Sequence, residues 1–179
     1  MRTQQRWGQL YEIASSQVGY FTTAQAESVL FSNQLLEHHL RSGRIQRVER
    51  GIYRLSHYPH GDYDDLIILW LWSKQCGVFS HTTALSLHQL SDFLPNHYHL
   101  TLPSSWKSRR LHVRNNVALY YDDIPKPQRD WYGCVPITNV GRTLADCKKL
   151  HLTEELLDQA VHQAIDRGLI PRGTASHAL

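Results

Sequence analysis

The chain has 179 residues, of which 41% are hydrophobic, at a net charge of +3. That is enough apolar material for one domain or two small ones and excludes a disordered tail. The longest apolar run, Leu66 to Trp72, falls far short of the roughly 20 residues that span a bilayer. With no apolar signal region at the N-terminus, a soluble cytoplasmic protein without membrane contact is expected. Cys76, Cys134 and Cys147 are odd in number, widely spaced and free of any CxxC pairing, so neither a disulfide framework nor a cysteine zinc site is expected.

From Arg6 to Gln17, Trp7, Leu10, Tyr11, Ile13 and Ala14 recur at helical spacing. Thr22 is placed to cap a short second helix, Thr23 to Val29, and Ser32 a third, Asn33 to Ser42. In the third, Leu36 and Leu40 face inward, which leaves Asn33, Gln34, Glu37, His38 and Arg41 outward. Gly43 suits the left-handed position after the helix. Arg44 to Val48 and Ile52 to Leu55 read as two strands turning at Gly51. Ile45 and Val48 have opposite parity, so a bulge or a poorly ordered wing is expected.

This order is that of a winged helix-turn-helix, and its charge fits. Residues 1–57 hold seven Arg against four Glu, a net +3, while residues 58–179 hold twelve groups of each sign. The positive excess lies in the first third, where neutralising phosphates would need it. Asn33, Gln34, Glu37, His38 and Arg41 are the candidates for base readout in a major groove. Arg44, Arg47, Arg50 and Arg54 are candidates for phosphate or minor-groove contact from the wing. Thr22, Thr23 and Ser32, at the helix starts, join them.

After a linker at Tyr58 to Gly61, Asp62 to Gln75 reads as a helix that is apolar nearly all round and central to a second core. A short helix, Thr82 to Gln89, follows. His97 to Leu102, Leu111 to Arg114 and Val117 to Tyr121 read as strands, the last two joined in a hairpin at Asn115-Asn116, with Cys134 to Ile137 as another. Thr138 and Thr153 are placed to cap two final helices, and Leu169 to Leu179 is too short for more than one further turn or a frayed end. The expected fold class is α+β: an N-terminal winged helix-turn-helix over 1–57, then a small mixed α/β domain over 62–179.

With these elements placed, the chain resembles the AbiEi family of antitoxins and autorepressors from bacterial type IV toxin-antitoxin pairs. The resemblance is carried by GYFTTAQA (19–26), the segment from Gly43 through RVERGIYRL (47–55), SHTTAL (80–85), HLTLP (99–103), and Thr138 with RTLAD (142–146). It implies a winged helix that binds promoter inverted repeats in double-stranded DNA, with at least two copies on the DNA. It further implies a C-terminal domain opposing a cognate nucleotidyltransferase-like toxin; an orphan regulator with the same fold is the alternative.

A second basic cluster, Lys107, Arg109, Arg110 and Arg114, surrounds Trp106 with no acid between Ser104 and Asn116. It suits a nucleic-acid backbone or an acidic partner, and a solvated loop explains it as well. Catalysis is not expected. His81-Thr82-Thr83 and His99-Leu100-Thr101 resemble the paired motifs of two-histidine phosphoesterases but stand too close together, and are read instead as hydrogen-bonding residues of the second core. Asp146-Cys147-Lys148, with Asp122, Asp123 or Asp130, has the elements of a metal-dependent nuclease but falls on an expected helix. Arg142 and Asp146 are read as a structural ion pair. No phosphate loop, nucleophile elbow or zinc motif is present in the sequence, and no cofactor or metal is expected.

Overall fold

A computed structural model describes residues 2–92 and 95–171, so the expected tail lies outside the described residues from 172 onward. The chain divides into two compact units, Met1–Gln75 and Cys76–Leu179.

The N-terminal unit runs α1 (Arg2–Ser15), β1 (Tyr20–Thr22), α2 (Thr23–Ser28), α3 (Asn33–Arg41), β2 (Ile45–Glu49), β3 (Ile52–Leu55) and α4 (Asp64–Trp72). The three strands form an antiparallel sheet in the order β1-β3-β2. Alternation along the strands sends Phe21, Tyr53, Leu55 and Ile45 to one face, where they meet Leu10, Ala14, Ala26, Phe31 and Leu36 of the helical layer. Tyr20, Ile52 and Arg54 point to the other face. That face is covered by α4, which packs on β1 and β3.

The expected helices, caps and hairpin are present. Thr22 and Gln25 form a reciprocal capping box, with Gln25 N to Thr22 Oγ1 at 3.2 Å and Thr22 N to Gln25 Oε1 at 2.9 Å. Ser32 caps α3 through Leu35 N at 3.4 Å. Gly43 and Gly51 take φ values of +71° and +79°, the first after the helix and the second in the hairpin turn. The parity conflict between Ile45 and Val48 is resolved by a bulge between Arg47 and Glu49, which leaves Val48 exposed while Ile45 stays in the core.

Two readings change. The helix assigned to the second core belongs to the first unit: six consecutive residues of α4, Leu66–Leu71, are buried, and the division falls after Gln75, not at 57–62. The strand β1 adds to the expected elements, formed by its pairing with β3.

The C-terminal unit contains β4 (Val78–Phe79), α5 (His81–Leu87), β5 (Tyr98–Leu102), β6 (Val117–Tyr121), β7 (Arg129–Tyr132), β8 (Val135–Thr138), α6 (Val140–Lys149) and α7 (Glu154–Asp166). Its five-stranded mixed sheet has the order β6-β5-β4-β8-β7. Pairs β5/β6 and β4/β8 are parallel, and β4/β5 and β7/β8 antiparallel. Leu85, Leu90, Val140, Leu144, Cys147, Leu157, Ala160 and Val161 form a helical core. The expected hairpin at Asn115-Asn116 is absent: residues 111–114 form no strand, and β6 pairs with β5 instead. The cap of α6 is Asn139, which accepts from Arg142 N at 2.9 Å, in place of Thr138.

Candidate nucleic-acid interface

Helix α3 presents the expected outward face. Asn33, Gln34, Glu37, His38 and Arg41 are all exposed, as is the capping residue Ser32. Its inward face carries Leu36 and, one turn on, His39. The His39 ring stacks on Trp7 at 4.5 Å and lies 5.2 Å from Phe31. Burial and the nearby Arg44 charge hold its pKa below the ordinary histidine value, so it packs as a neutral aromatic ring. Glu37 and Arg41 form an exposed ion pair one turn apart, which orients the guanidinium and adds little stability.

The hairpin places Arg44, Arg47 and Arg50 in solvent. The Arg44 guanidinium lies 5.8 Å from the Trp7 ring centre. Arg47 Nε donates to the Glu49 carbonyl at 3.3 Å, bracing its side chain along the bulge. Arg50 occupies the two-residue turn beside Gly51. That turn is anchored to the start of α2, where Thr23 N donates to the Gly51 carbonyl at 3.0 Å. Thr22 and Thr23 are half-buried, and their polar atoms serve the cap and this anchor.

Arg54 is a correction. It is 2% exposed, lies 5.6 Å over the Tyr20 ring, and donates to the Tyr58 carbonyl. Strand parity explains the difference: Arg54 pairs across the sheet with Gln46 and Tyr20, on the face that α4 covers. The Asp64 carboxyl at the start of α4 adds compensating charge there. Burial works against its ionised form, but hydrogen bonds from His60, Tyr20 and Gly61 N hold its pKa below the usual carboxylate range.

In the C-terminal unit, Lys107, Arg109 and Arg110 are exposed and Arg114 is half-buried. Trp106 is not a stacking platform: it is 7% exposed, beneath the Arg109 guanidinium at 4.2 Å. His81 and the half-buried His99 have ring centres 5.7 Å apart. His81 is buried, stacks on Tyr120 at 3.7 Å and has Nδ1 2.8 Å from Ser80 Oγ. Burial pulls its pKa down to about 4. His99 Nδ1 is 3.1 Å from the Tyr120 hydroxyl. Arg142 binds both oxygens of the buried Asp146 at 2.8 Å, the expected ion pair, and also reaches Asp122 at 2.6 Å. Cys147, between Asp146 and Lys148 on α6, is fully buried with its thiol pushed up to about 12 by burial. Among the described residues no group of three or more His, Cys, Asp or Glu is arranged to hold a metal, and no helix is long and apolar enough to cross a membrane.

The N-terminal unit thus has the element order of a winged helix-turn-helix, with a polar third helix and a cationic hairpin. Residues 9–56 match a protein-family model described as a transcriptional regulator, AbiEi antitoxin. The resemblance read from the sequence therefore holds from the second half of α1 to β3, and the matched segment stops before α4. No curated protein matches the chain.

Proposed function

We propose that this protein is a DNA-binding autorepressor of the cytoplasm that also serves as the antitoxin of a type IV pair, opposing a nucleotidyltransferase-like toxin. The observation that carries this reading is the combination of an exposed polar α3 face with three outward arginines on the adjoining hairpin, in a segment similar to AbiEi regulators. In this reading the first turn of α3 enters the major groove, where Asn33, Gln34 and Glu37 reach base edges. His38 and Arg41 follow toward the groove edge. Arg44, Arg47 and Arg50 hold phosphates, with Thr22, Thr23 and Ser32 close to the backbone. Promoter inverted repeats would take two copies of the chain without requiring a dimer in solution. The C-terminal unit faces the toxin, and the basic cluster at Lys107, Arg109, Arg110 and Arg114 offers it an acid-binding surface.

Fluorescence anisotropy with the native upstream DNA at two salt concentrations tests the DNA half. Affinity should fall steeply with salt, and the double variant Arg47→Ala, Arg50→Ala should flatten the log-log slope by about 2, roughly one per lost phosphate contact. An unchanged affinity and slope would defeat the wing assignment. Co-expression with a neighbouring nucleotidyltransferase gene tests the toxin half: growth should be rescued by the chain, and failure of rescue leaves an orphan regulator.

A further inference from the structure

The N-terminal unit contains a groove of about 490 Å³ formed by α2, the β2–β3 turn and the C-terminal end of α4. Its volume lies within the roughly 300–1,000 Å³ typical of small-molecule sites. Most of its surface is apolar, with Ala24, Ile52, Leu71 and Trp72 in the lining, and the rest includes hydroxyl and amide side chains and the cations Arg50 and Lys74. No carboxylate lines it among the described residues. An aromatic wall beside the Arg50 guanidinium, with no acid in the lining, suits a flat apolar molecule bearing a negative charge.

The groove is also held in shape. Gln17 Oε1 accepts from Gln25 Nε2 at 2.9 Å and from Gln75 Nε2 at 2.7 Å, which joins the end of α1, the first turn of α2 and the segment after α4. Gln25 is itself the partner of Thr22 in the capping box. Lys74 and Gln75 take consecutive positive φ values of 54° and 62°, a conformation that turns the chain back after α4 and that side chains rarely adopt. A site fixed on three elements in this way loses little freedom when a ligand enters.

We propose that this groove binds a small aromatic anion, a carboxylate or sulfonate, whose charge pairs with Arg50, and that the bound anion weakens DNA binding by occupying that arginine. The second half rests on the reading of Arg50 as a wing contact with DNA; the first half does not.

The test uses the whole chain and two dyes with the same ring character, the anionic 1-anilinonaphthalene-8-sulfonate and the uncharged N-phenyl-1-naphthylamine, followed by fluorescence without DNA. The anionic dye should bind saturably at one site and roughly tenfold more tightly than the neutral one, the size of one charge-assisted contact. Arg50→Ala should abolish that preference. Ala24→Phe, at an exposed position on α2, should block both dyes; Ser28→Tyr, exposed one turn further along the same helix face, fills the groove if the first variant melts early. Equal affinity for the two dyes in the unaltered protein would overturn the site. So would loss of binding on Trp131→Ala, which removes an exposed aromatic of the other unit, with none on the groove-filling variants. Anisotropy with the upstream DNA then reads the coupling: DNA affinity should fall as the anionic dye saturates. Unchanged DNA affinity at saturation would overturn the competition. A protein that binds the dye as described but no DNA upholds the site and defeats the repressor reading.

Discussion

In the N-terminal unit Arg44, Arg47 and Arg50 lie in solvent, whereas in the C-terminal unit Arg142 ends against Asp122 and Asp146. Arg129 there donates to the Ile124 carbonyl and Arg167 to the carbonyls of His88 and Gln89. The same residue type faces solvent at the first three positions and braces the chain at the other three, although Arg129 and Arg167 keep exposed surfaces and Arg109 and Arg110 of the C-terminal unit also face outward. Arg54 belongs by sequence to the first group and by environment to the second. A count of arginines therefore locates a charged region but does not say which of them can meet a ligand; the direction of each side chain decides that.

Four measurements bear on this contrast. The largest effect is expected for Arg142→Ala, which takes the two short hydrogen bonds from Asp146, at 2% side-chain exposure, and leaves it only Lys149 Nζ at 3.8 Å: a buried charge that loses its main partner costs about 3 kcal/mol. Denaturant unfolding would show it, and a loss below about 1 kcal/mol would mean that Asp146 is satisfied by other groups. Next is the pH response of His81, whose pKa is about 4 in the fold against an ordinary 6.5. Between those values the unfolded chain holds a proton that the folded unit refuses. Stability should therefore fall by about 3 kcal/mol as pH drops from 6.5 to 4, the size of the shift converted to energy. His81→Asn, which tolerates the positive φ of 51° at that position, should flatten the dependence in urea titrations at several pH values; an unaltered pH profile would assign it elsewhere.

Arg54→Ala should then cost about 2 kcal/mol, because it leaves the Tyr58 carbonyl without its charged donor. Its DNA affinity, measured where the variant is folded, should match the unaltered protein; a reduced salt slope would return Arg54 to the interface. The smallest effect is expected for Thr22→Ala, about 1 kcal/mol for the lost cap. If thermal melts show that loss and DNA affinity drops tenfold besides, Thr22 contacts the backbone as well as capping α2.

Much of the N-terminal unit was legible because its signals are local. Thr22 and Ser32 start helices, Gly43 and Gly51 sit at turns, and Leu36 and Leu40 mark one helical face. Features that depend on a distant partner were not. Three residues of β1 after Gly19 make a strand only because β3 lies beside them. Residues 111–114 alternate like a strand but have no ladder to join, since β6 takes the edge of β5 in parallel. Arg54 could not be told from Arg50 without knowing that the back of the sheet is covered. Likewise, the apolar run of α4 announced a buried helix but not which core it fills, because a helix apolar all round has no preferred side to read.

The position of α4 has a practical bearing on how the N-terminal unit can be moved between proteins. The segment similar to AbiEi regulators ends at residue 56, and an exchange made there would carry away the sheet but leave its backing behind. Tyr20, Ile52 and Arg54, each at most 3% exposed, would then meet water, and the transplanted piece would carry a sticky apolar flank. The inheritable unit is residues 1–75, so a recombination that respects the molecule would cut after Gln75.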